Sequence, residues 1–322
     1  MSKYNRITKN IEELLIDNPK TKRAKISWTN INNPGKEELD YLRKKYGFSL
    51  KHLQTSSAKT IAHRPMIYQE DGYLFLILHF PVIKGNTIIS GEIEFFIGHG
   101  FLITLHNDIV KPLNLFFNSC KKNEGTLLSY NLESSAILLY EILEKLMLES
   151  YNLLDQNSVI INEVETTIFS RKQRKANSDI LALRRNILNL RKIIQNHKNI
   201  LKKLMEMKST IVPEKEIKSH YYILLEHSKR IWEHSEIQKE TIDALYDTNE
   251  SILNFRLNEI MKALTIFSIV LLPLTLIASI FGMNTQKSMP FVSETNGFSI
   301  ILSMMGISAI LIILFLIKKK WL

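Results

Sequence analysis

Cysteine is almost missing from this chain of 322 residues: Cys120 is its only one, which excludes an intramolecular disulfide and any thiolate metal cluster held by a single chain. A reduced cytosolic compartment fits that poverty. Acidic residues are also short, 32 Asp and Glu against 42 Lys and Arg, for a formal net charge of +10. The amino end, Met1 to Arg23, is polar and charged and lacks the apolar core of a cleaved signal peptide. Membrane insertion is therefore expected to depend on segments further along. No Gly-x-x-x-x-Gly-Lys phosphate loop occurs, and Gly98-x-Gly100 has neither a third glycine nor a following helix, so nucleotide-driven work has no visible site. The nine histidines are scattered, with no distinctive grouping of His, Ser and carboxylate, and no catalytic residue is expected. From Glu216 to Phe281 there is no glycine, and Pro273 is the only proline.

Two long apolar runs stand out against these absences. Ile266 to Phe281 and Phe298 to Ile317 carry no charge, and each is near the length that crosses about 30 Å of hydrocarbon. The segment between them, Gly282 to Gly297, has only Lys287 and Glu294, whereas Arg256 and Lys262 precede the first run and Lys318, Lys319 and Lys320 follow the second. The positive-inside rule then predicts two spans in a cell membrane, inner or plasma, with both termini cytoplasmic and the short loop outside.

The pattern divides the chain into five parts: a cytoplasmic α/β domain (1–130), cytoplasmic helices (131–212), a stalk helix continuing into the first span (213–281), an extracytoplasmic loop (282–297), and the second span with its basic tail (298–322). The fold class is α+β followed by a long stalk helix and two transmembrane helices. In the first part, strands are expected at Lys25 to Trp28, Met66 to Gln69, Tyr73 to Phe80, Thr87 to Ile97 and Phe101 to His106, with a helix over Lys36 to Tyr46 stopped at Gly47. Asp71-Gly72 and Gly98-His99-Gly100 supply turn chemistry, which argues for antiparallel hairpins in a mixed or antiparallel sheet. One helix is expected from about Ser134 through Phe169 and a second over Arg171 to Lys208, before the break at Pro213. The second holds twelve Lys or Arg against Asp179 and Glu206, with Ile180, Leu183, Ile187, Leu190, Ile194, Leu201 and Leu204 at the spacing of a buried seam. Its basic face reads as solvated, with an acidic neighbour or an anionic headgroup as the alternative. Glu226-His227-Ser228 recurs as Glu233-His234-Ser235 with His220 in register; histidines two turns apart, about 10 Å, are too distant to share one ion, so the repeat reads as structural.

The first span has one polar stripe: Asn258, Met261, Leu264 or Thr265, Ser268, Leu272, Thr275, Ser279 and Gly282 recur at steps of three and four. Alone, it fits a pore lining and helix packing through small residues equally well. Two spans cannot enclose a water-filled path, so conduction requires several copies around an axis. In such a ring, Gly282-Met283-Asn284 would place backbone carbonyls and an uncharged amide at the outer mouth, donors suited to Mg2+, which keeps its water and prefers octahedral oxygen. Met261, Leu264 and Leu272 would be apolar constrictions.

Asn258-Glu259-Ile260-Met261-Lys262-Ala263-Leu264-Thr265, Pro273-Leu274-Thr275, Phe281-Gly282-Met283-Asn284, the second span and Lys318-Lys319-Lys320-Trp321-Leu322 closely resemble the CorA magnesium transporter family. Upstream, Trp28, Arg64-Pro65, Phe101 to His106 and the helix with Arg184, Arg185 and Arg191 are similar to that family's cytoplasmic domain. The resemblance implies a funnel-shaped homopentamer in the lipid bilayer, self-association as the partner, and no nucleic-acid partner. It implies Mg2+ influx, with Co2+ and Ni2+ also carried, no cofactor, and closure by cytosolic Mg2+. It places Gly282, Met283 and Asn284 in the selectivity ring with the hydrated ion at Asn284, the stripe from Asn258 to Ser279 along the pore, and Lys318 to Lys320 in a basic collar. Departures are local: Phe281 for tyrosine, Thr285 for phenylalanine, Phe291 for a loop glutamate, and Tyr68 and Ile223 where acidic sensor groups are expected. Glu226, Asp71, Asp247 and Glu250 are then the remaining sensor candidates. The competing readings are a zinc carrier of the same superfamily, which usually lacks a methionine in the motif, and a membrane-tethered scaffold or nucleic-acid-binding module using the basic helix.

Overall fold

The structure is a computed structural model and describes residues 2–17, 25–57, 64–122, 134–170, 173–207, 209–214, 217–283, 290–291 and 296–321. It divides into two compact units, Met1–Tyr246 and Asp247–Leu322.

The first unit is built on a seven-stranded sheet in the order β1-β2-β3-β7-β6-β5-β4. Its strands are β1 (Ser2–Arg6), β2 (Ile11–Asp17), β3 (Lys25–Asn32), β4 (Met66–Glu70), β5 (Tyr73–Lys84), β6 (Thr87–Gly98) and β7 (Phe101–His106). All neighbours are antiparallel except β3 and β7, where Trp28 lies opposite Leu102 in a parallel pair. The expected hairpins across Asp71-Gly72 and Gly98 to Gly100 are present, and the sheet is mixed. Gly98 is required by space: a Cβ there would lie 2.3 Å from the Phe101 ring and 2.9 Å from the Gly72 carbonyl oxygen.

Both faces of the sheet are covered, which is why β5 reads as a nearly continuous apolar run. Phe75 and Ile77 join Phe48 and Phe96 beneath α1 (Lys36–Tyr46) and α2 (Leu50–Ser57), while Leu74, Leu76 and Leu78 share the other core with Trp28, Phe117 and Leu139. Helix α1 stops where expected: Gly47 takes the left-handed conformation at φ 69° and its N–H donates to the Arg43 carbonyl at 3.0 Å.

The second core is roofed by α3 (Lys111–Lys121), α4 (Ser135–Phe169), α5 (Gln173–Ile194), α6 (His197–Glu206) and the start of α7 (Ile217–Phe281). Ser134 caps α4, its hydroxyl accepting the Ile137 N–H at 3.2 Å. Strands β1 and β2 and helices α2 and α3 were not expected from the sequence, and the basic stretch is two helices instead of one. The break falls at Gln195-Asn196, where His197 turns inward, is 1% exposed and donates from Nε2 to the His79 carbonyl at 2.7 Å. All seven apolar positions of the basic stretch named above are buried.

The second unit comprises the rest of α7 and helix α8 (Gly297–Lys318). α7 has 65 residues, about 100 Å at 1.5 Å per residue, and contains Pro273 without ending there. Both α7 and α8 are long and apolar enough to cross a membrane. α8 ends in a Schellman turn: Trp321 N–H donates to Leu316 O and Lys320 N–H to Ile317 O, both at 3.0 Å, with Lys320 left-handed at φ 58°.

Candidate functional site

The stripe on α7 lies along one side of the helix. Asn258, Met261, Leu264, Leu272, Thr275 and Ser279 are exposed, and Ser268 is half-buried. The residues partly covered are Ile266, Ile269, Val270, Pro273, Leu274 and Ile277, which at about 100° per residue fall on the opposite side. The stripe is therefore largely exposed in a single chain, as are Phe267, Leu271, Leu276 and Ile280 elsewhere around the helix.

Three of its hydroxyls are oriented by the helix itself. Ser268 Oγ donates to Leu264 O and Thr275 Oγ1 to Leu271 O, each at 2.9 Å, and Thr265 Oγ1 donates to Met261 O at 2.8 Å. Each O–H is spent on its own backbone, so what remains to the surroundings is an oxygen acceptor. At the helix end, Gly282 N–H donates to Ala278 O at 2.9 Å and Met283 N–H to Ile280 O at 3.3 Å. Both residues are exposed. A Cβ at Gly282 would sit 3.0 Å from the Ala278 carbonyl, a crowded approach that glycine avoids. Asn284, Thr285, Lys287 and Glu294 lie outside the described residues. Phe291 is exposed and left-handed at φ 71°. Lys318, Lys319 and Lys320 are exposed at the Schellman turn.

The sensor candidates are not brought together as a cluster. No group of three or more His, Cys, Asp or Glu suited to a metal occurs among the described residues. Glu226 pairs with Arg230 at 3.1 Å on its own helix, and Asp71 is exposed in the β4–β5 turn. Asp247 and Glu250 are exposed on α7. Tyr68 stacks on His52 at 5.6 Å, with Lys51 at 5.6 Å and Lys203 at 6.0 Å from its ring, a cationic setting in place of an acidic one. Ile223 is 44% exposed.

The histidine repeat packs against tyrosines. His220 meets Tyr140 edge-on at 4.9 Å, and Tyr151 meets both His227 at 5.7 Å and His234 at 6.5 Å. The basic helix has an acidic neighbour that the sequence reading left as an alternative: Arg184 Nε lies 3.1 Å from Asp243 Oδ1, and Arg191 pairs with Glu236 while lying over Trp232 at 4.6 Å. A signal was present, since Arg184 and Arg191 are seven residues apart and so are Glu236 and Asp243.

Buried polar groups in the sheet form a second network. Trp28 Nε1 donates to Thr104 Oγ1 at 3.2 Å, Thr104 donates to Asn30 Oδ1 at 2.7 Å, and His106 Nε2 donates to the same oxygen at 3.1 Å. Burial holds the His106 imidazole down to about 4, and His197 likewise to about 4. Burial has the opposite sign for Glu94, whose carboxyl is pushed up to about 8.

The chain as a whole has counterparts among known proteins. The model of the family described as CorA-like Mg2+ transporter protein matches residues 23–319. The cobalt/magnesium transport protein CorA of Thermotoga maritima is 24% identical over 277 residues, covering 85% of this chain and 78% of the relative. The complete structure of the CorA magnesium transporter from Methanocaldococcus jannaschii superposes with a TM-score of 0.82 at 22% identity, covering 97% of this chain and 96% of that one. The ZntB cytoplasmic domain from Vibrio parahaemolyticus shares the fold more loosely, with a TM-score of 0.56 at 15% identity over 79% of this chain and 98% of that one.

Proposed function

The chain belongs to the CorA-like Mg2+ transporter family and is a two-span membrane transporter of divalent metal ions, not an enzyme; from that premise we propose that it is a Mg2+ influx channel closed by cytosolic Mg2+. The observation that carries this reading is the open oxygen stripe of α7, whose Thr265, Ser268 and Thr275 hydroxyls donate inward and leave acceptors outward. A Mg2+ ion that keeps its first water shell presents only water protons, and neutral acceptors bind those at modest cost. Carboxylates would hold the ion longer.

Copies of α7 around an axis, five by analogy with the family, supply the pore wall. Asn258, Met261, Leu264, Ser268, Leu272, Thr275 and Ser279 line it, with Met261, Leu264 and Leu272 narrowing it. Apolar rings of this kind dewet when the bundle tightens. Gly282, Met283 and Asn284 form the outer ring, where carbonyl and amide oxygens meet the incoming hydrated ion. Both termini are cytoplasmic, and Lys318 to Lys320 form a basic collar at the inner end. The driving force is the membrane potential: a divalent cation gains about 4.6 kcal/mol per 100 mV. That offsets a concentration ratio of roughly a thousandfold.

Co2+ and Ni2+ are expected to share the route, and Met283 favours Mg2+ over Zn2+. Closure requires Mg2+ bound between subunits, with Glu226, Asp71, Asp247 and Glu250 as the candidate carboxylates. Purified protein in liposomes loaded with a Mg2+-sensitive dye tests the reading. An inside-negative potential is expected to drive Mg2+ entry that Asn284→Ala abolishes. Absence of flux from wild type, or unchanged flux in the variant, overturns it.

A further inference from the structure

Helix α2 is held to the sheet mostly by polar and titratable groups. Of its side chains buried among the described residues, His52, Leu53 and Ser56, only Leu53 joins the apolar core. The neighbouring α1 buries Leu39 and Leu42 in that same core. A helix of eight residues does not stand alone in water, so the place of α2 rests on what those three side chains meet.

Near the start of the helix, His52 is 3% exposed, stacks on Phe75 at 4.5 Å and on Tyr68 at 5.6 Å, and has its Nδ1 3.0 Å from the Tyr73 hydroxyl. That hydroxyl accepts the Ser49 N–H at 3.1 Å, which leaves its own proton for His52 Nδ1. The imidazole can accept there only while neutral, and burial holds its pKa below the ordinary value. Of the charges around the ring, Glu70, 3.8 Å from Nε2, favours the imidazolium and Lys51 opposes it.

One turn further along, Ser56 Oγ donates to the His52 carbonyl at 3.1 Å and is hydrogen-bonded to the Glu94 carboxyl. With its proton spent on its own helix, Ser56 offers Glu94 an acceptor, and only a protonated carboxyl donates to it. Were Ser56 to turn that proton toward an ionised Glu94, the His52 carbonyl would lose it and a buried charge would gain a single donor. Glu94 is 4% exposed, paired in the sheet with the apolar Ile77 of β5 and Leu105 of β7. Burial pushes its carboxyl up to about 8, and the charge of Glu92, two residues along β6, adds to the rise. Glu92 in turn accepts from His79 Nε2 of β5 at 2.9 Å. An ionised Glu94 under α2 is therefore a poorly compensated carboxylate, and lifting the helix is the way to hydrate it. We propose that α2 is a pH-sensitive flap, closed on the sheet while His52 and Glu94 are neutral, and opening without the sheet as Glu94 gives up its proton.

The closed flap tightens the hold of Glu94 on its proton, so opening is least below the ordinary carboxylate range, grows as pH rises and levels off above about 8. Hydrogen exchange on the full chain in detergent, expressed as protection relative to the free-peptide rate at each pH, tests this. Protection of the α2 amides at 53–56 is expected to fall about tenfold between pH 6.5 and 8. At pH 8 it is expected to lie about tenfold or more below that of the β5 amides at 74–78, because the flap opens while the sheet stays paired. Glu94→Gln keeps the shape and a donor for Ser56 but cannot ionise, and its α2 protection is expected to stay constant over the interval. Protection of α2 that does not change with pH in wild type, that falls equally in Glu94→Gln, or that matches β5 at pH 8 overturns the proposal. Should Glu94→Gln fail to fold, Glu94→Met is read by the same criteria.

Discussion

Arg184 on α5 reaches across to α7 and places its Nε 3.1 Å from Asp243 Oδ1. One heptad along, Arg191 repeats the contact with Glu236 and adds the face of Trp232. The excess charge of the basic helix is thus partly neutralised within the chain, which weakens the case for an acidic external partner. The two pairs differ in setting: the Arg184 side chain is 44% exposed and that of Arg191 only 15%.

The pairs are expected to differ in strength accordingly. A double-mutant cycle of Arg184→Ala with Asp243→Ala should give a coupling of about 0.5 kcal/mol, the range of screened surface pairs. Arg191→Lys should destabilise more than Arg184→Lys, because lysine keeps the charge but loses the planar contact with Trp232. Thermal unfolding of the full chain in detergent measures both, and equal effects of the two lysine substitutions would contradict the assignment.

Stability should fall on both sides of a maximum, for separate reasons. His106 and His197 have folded values near 4 against an ordinary 6.5, so the folded state binds fewer protons and their contribution, complete above 6.5, is lost as pH falls toward 4. Glu94 has a folded value near 8 against 4.5, so its contribution is complete below 4.5 and declines as pH rises toward 8. Glu94→Gln is expected to flatten the Tm profile between pH 6.5 and 8 while leaving the acid side steep. A decline over that interval as large as in wild type would show that another group is responsible.

Gly98→Ala should destabilise by about 1–3 kcal/mol, because the new methyl must displace the Phe101 ring at the β6–β7 turn. Adding Phe101→Leu is expected to restore part of the loss. Tm values of the single and double variants decide whether the ring is the obstacle, since a double variant no better than Gly98→Ala assigns the strain to the Gly72 carbonyl.

Within the channel reading, Thr275→Val removes an oxygen while keeping the shape, and Mg2+ flux is expected to fall several-fold; Thr275→Ser should keep it. Leu272→Asn is expected to do the reverse, raising flux at high internal Mg2+ by wetting the constriction. Dye-loaded liposomes report all three. Equal flux from the valine and serine variants would take the Thr275 oxygen out of the pathway.

The signals from which the candidate stripe was read are local. The phase of Asn258, Leu272 and Ser279 along one helix follows from 3.6 residues per turn, and all three are exposed on α7. The stop of α1 at Gly47 and the hairpins at Gly72 and Gly98 were likewise readable from single residues. The strand Ile11–Asp17 was not, because Ile11 and Leu14 are apolar at a spacing that suits no clean alternation; its identity comes from pairing with β3, where Leu14 lies opposite Trp28.

The sequence by itself determined the two spans, the Gly282-Met283-Asn284 motif at the end of the first and the stripe leading to it, since hydrophobic length, helical phase and charge asymmetry are properties of short segments. Only the tertiary structure decided that the basic stretch breaks at Asn196, that its arginines are paired by Glu236 and Asp243, and that Gln238 and Asn157 are buried with an acceptor and a donor unspent. Those facts depend on which helix lies beside which, at separations of 45 residues and more. Such pairings are set by the packing of the whole unit around its sheet, and no local pattern encodes them.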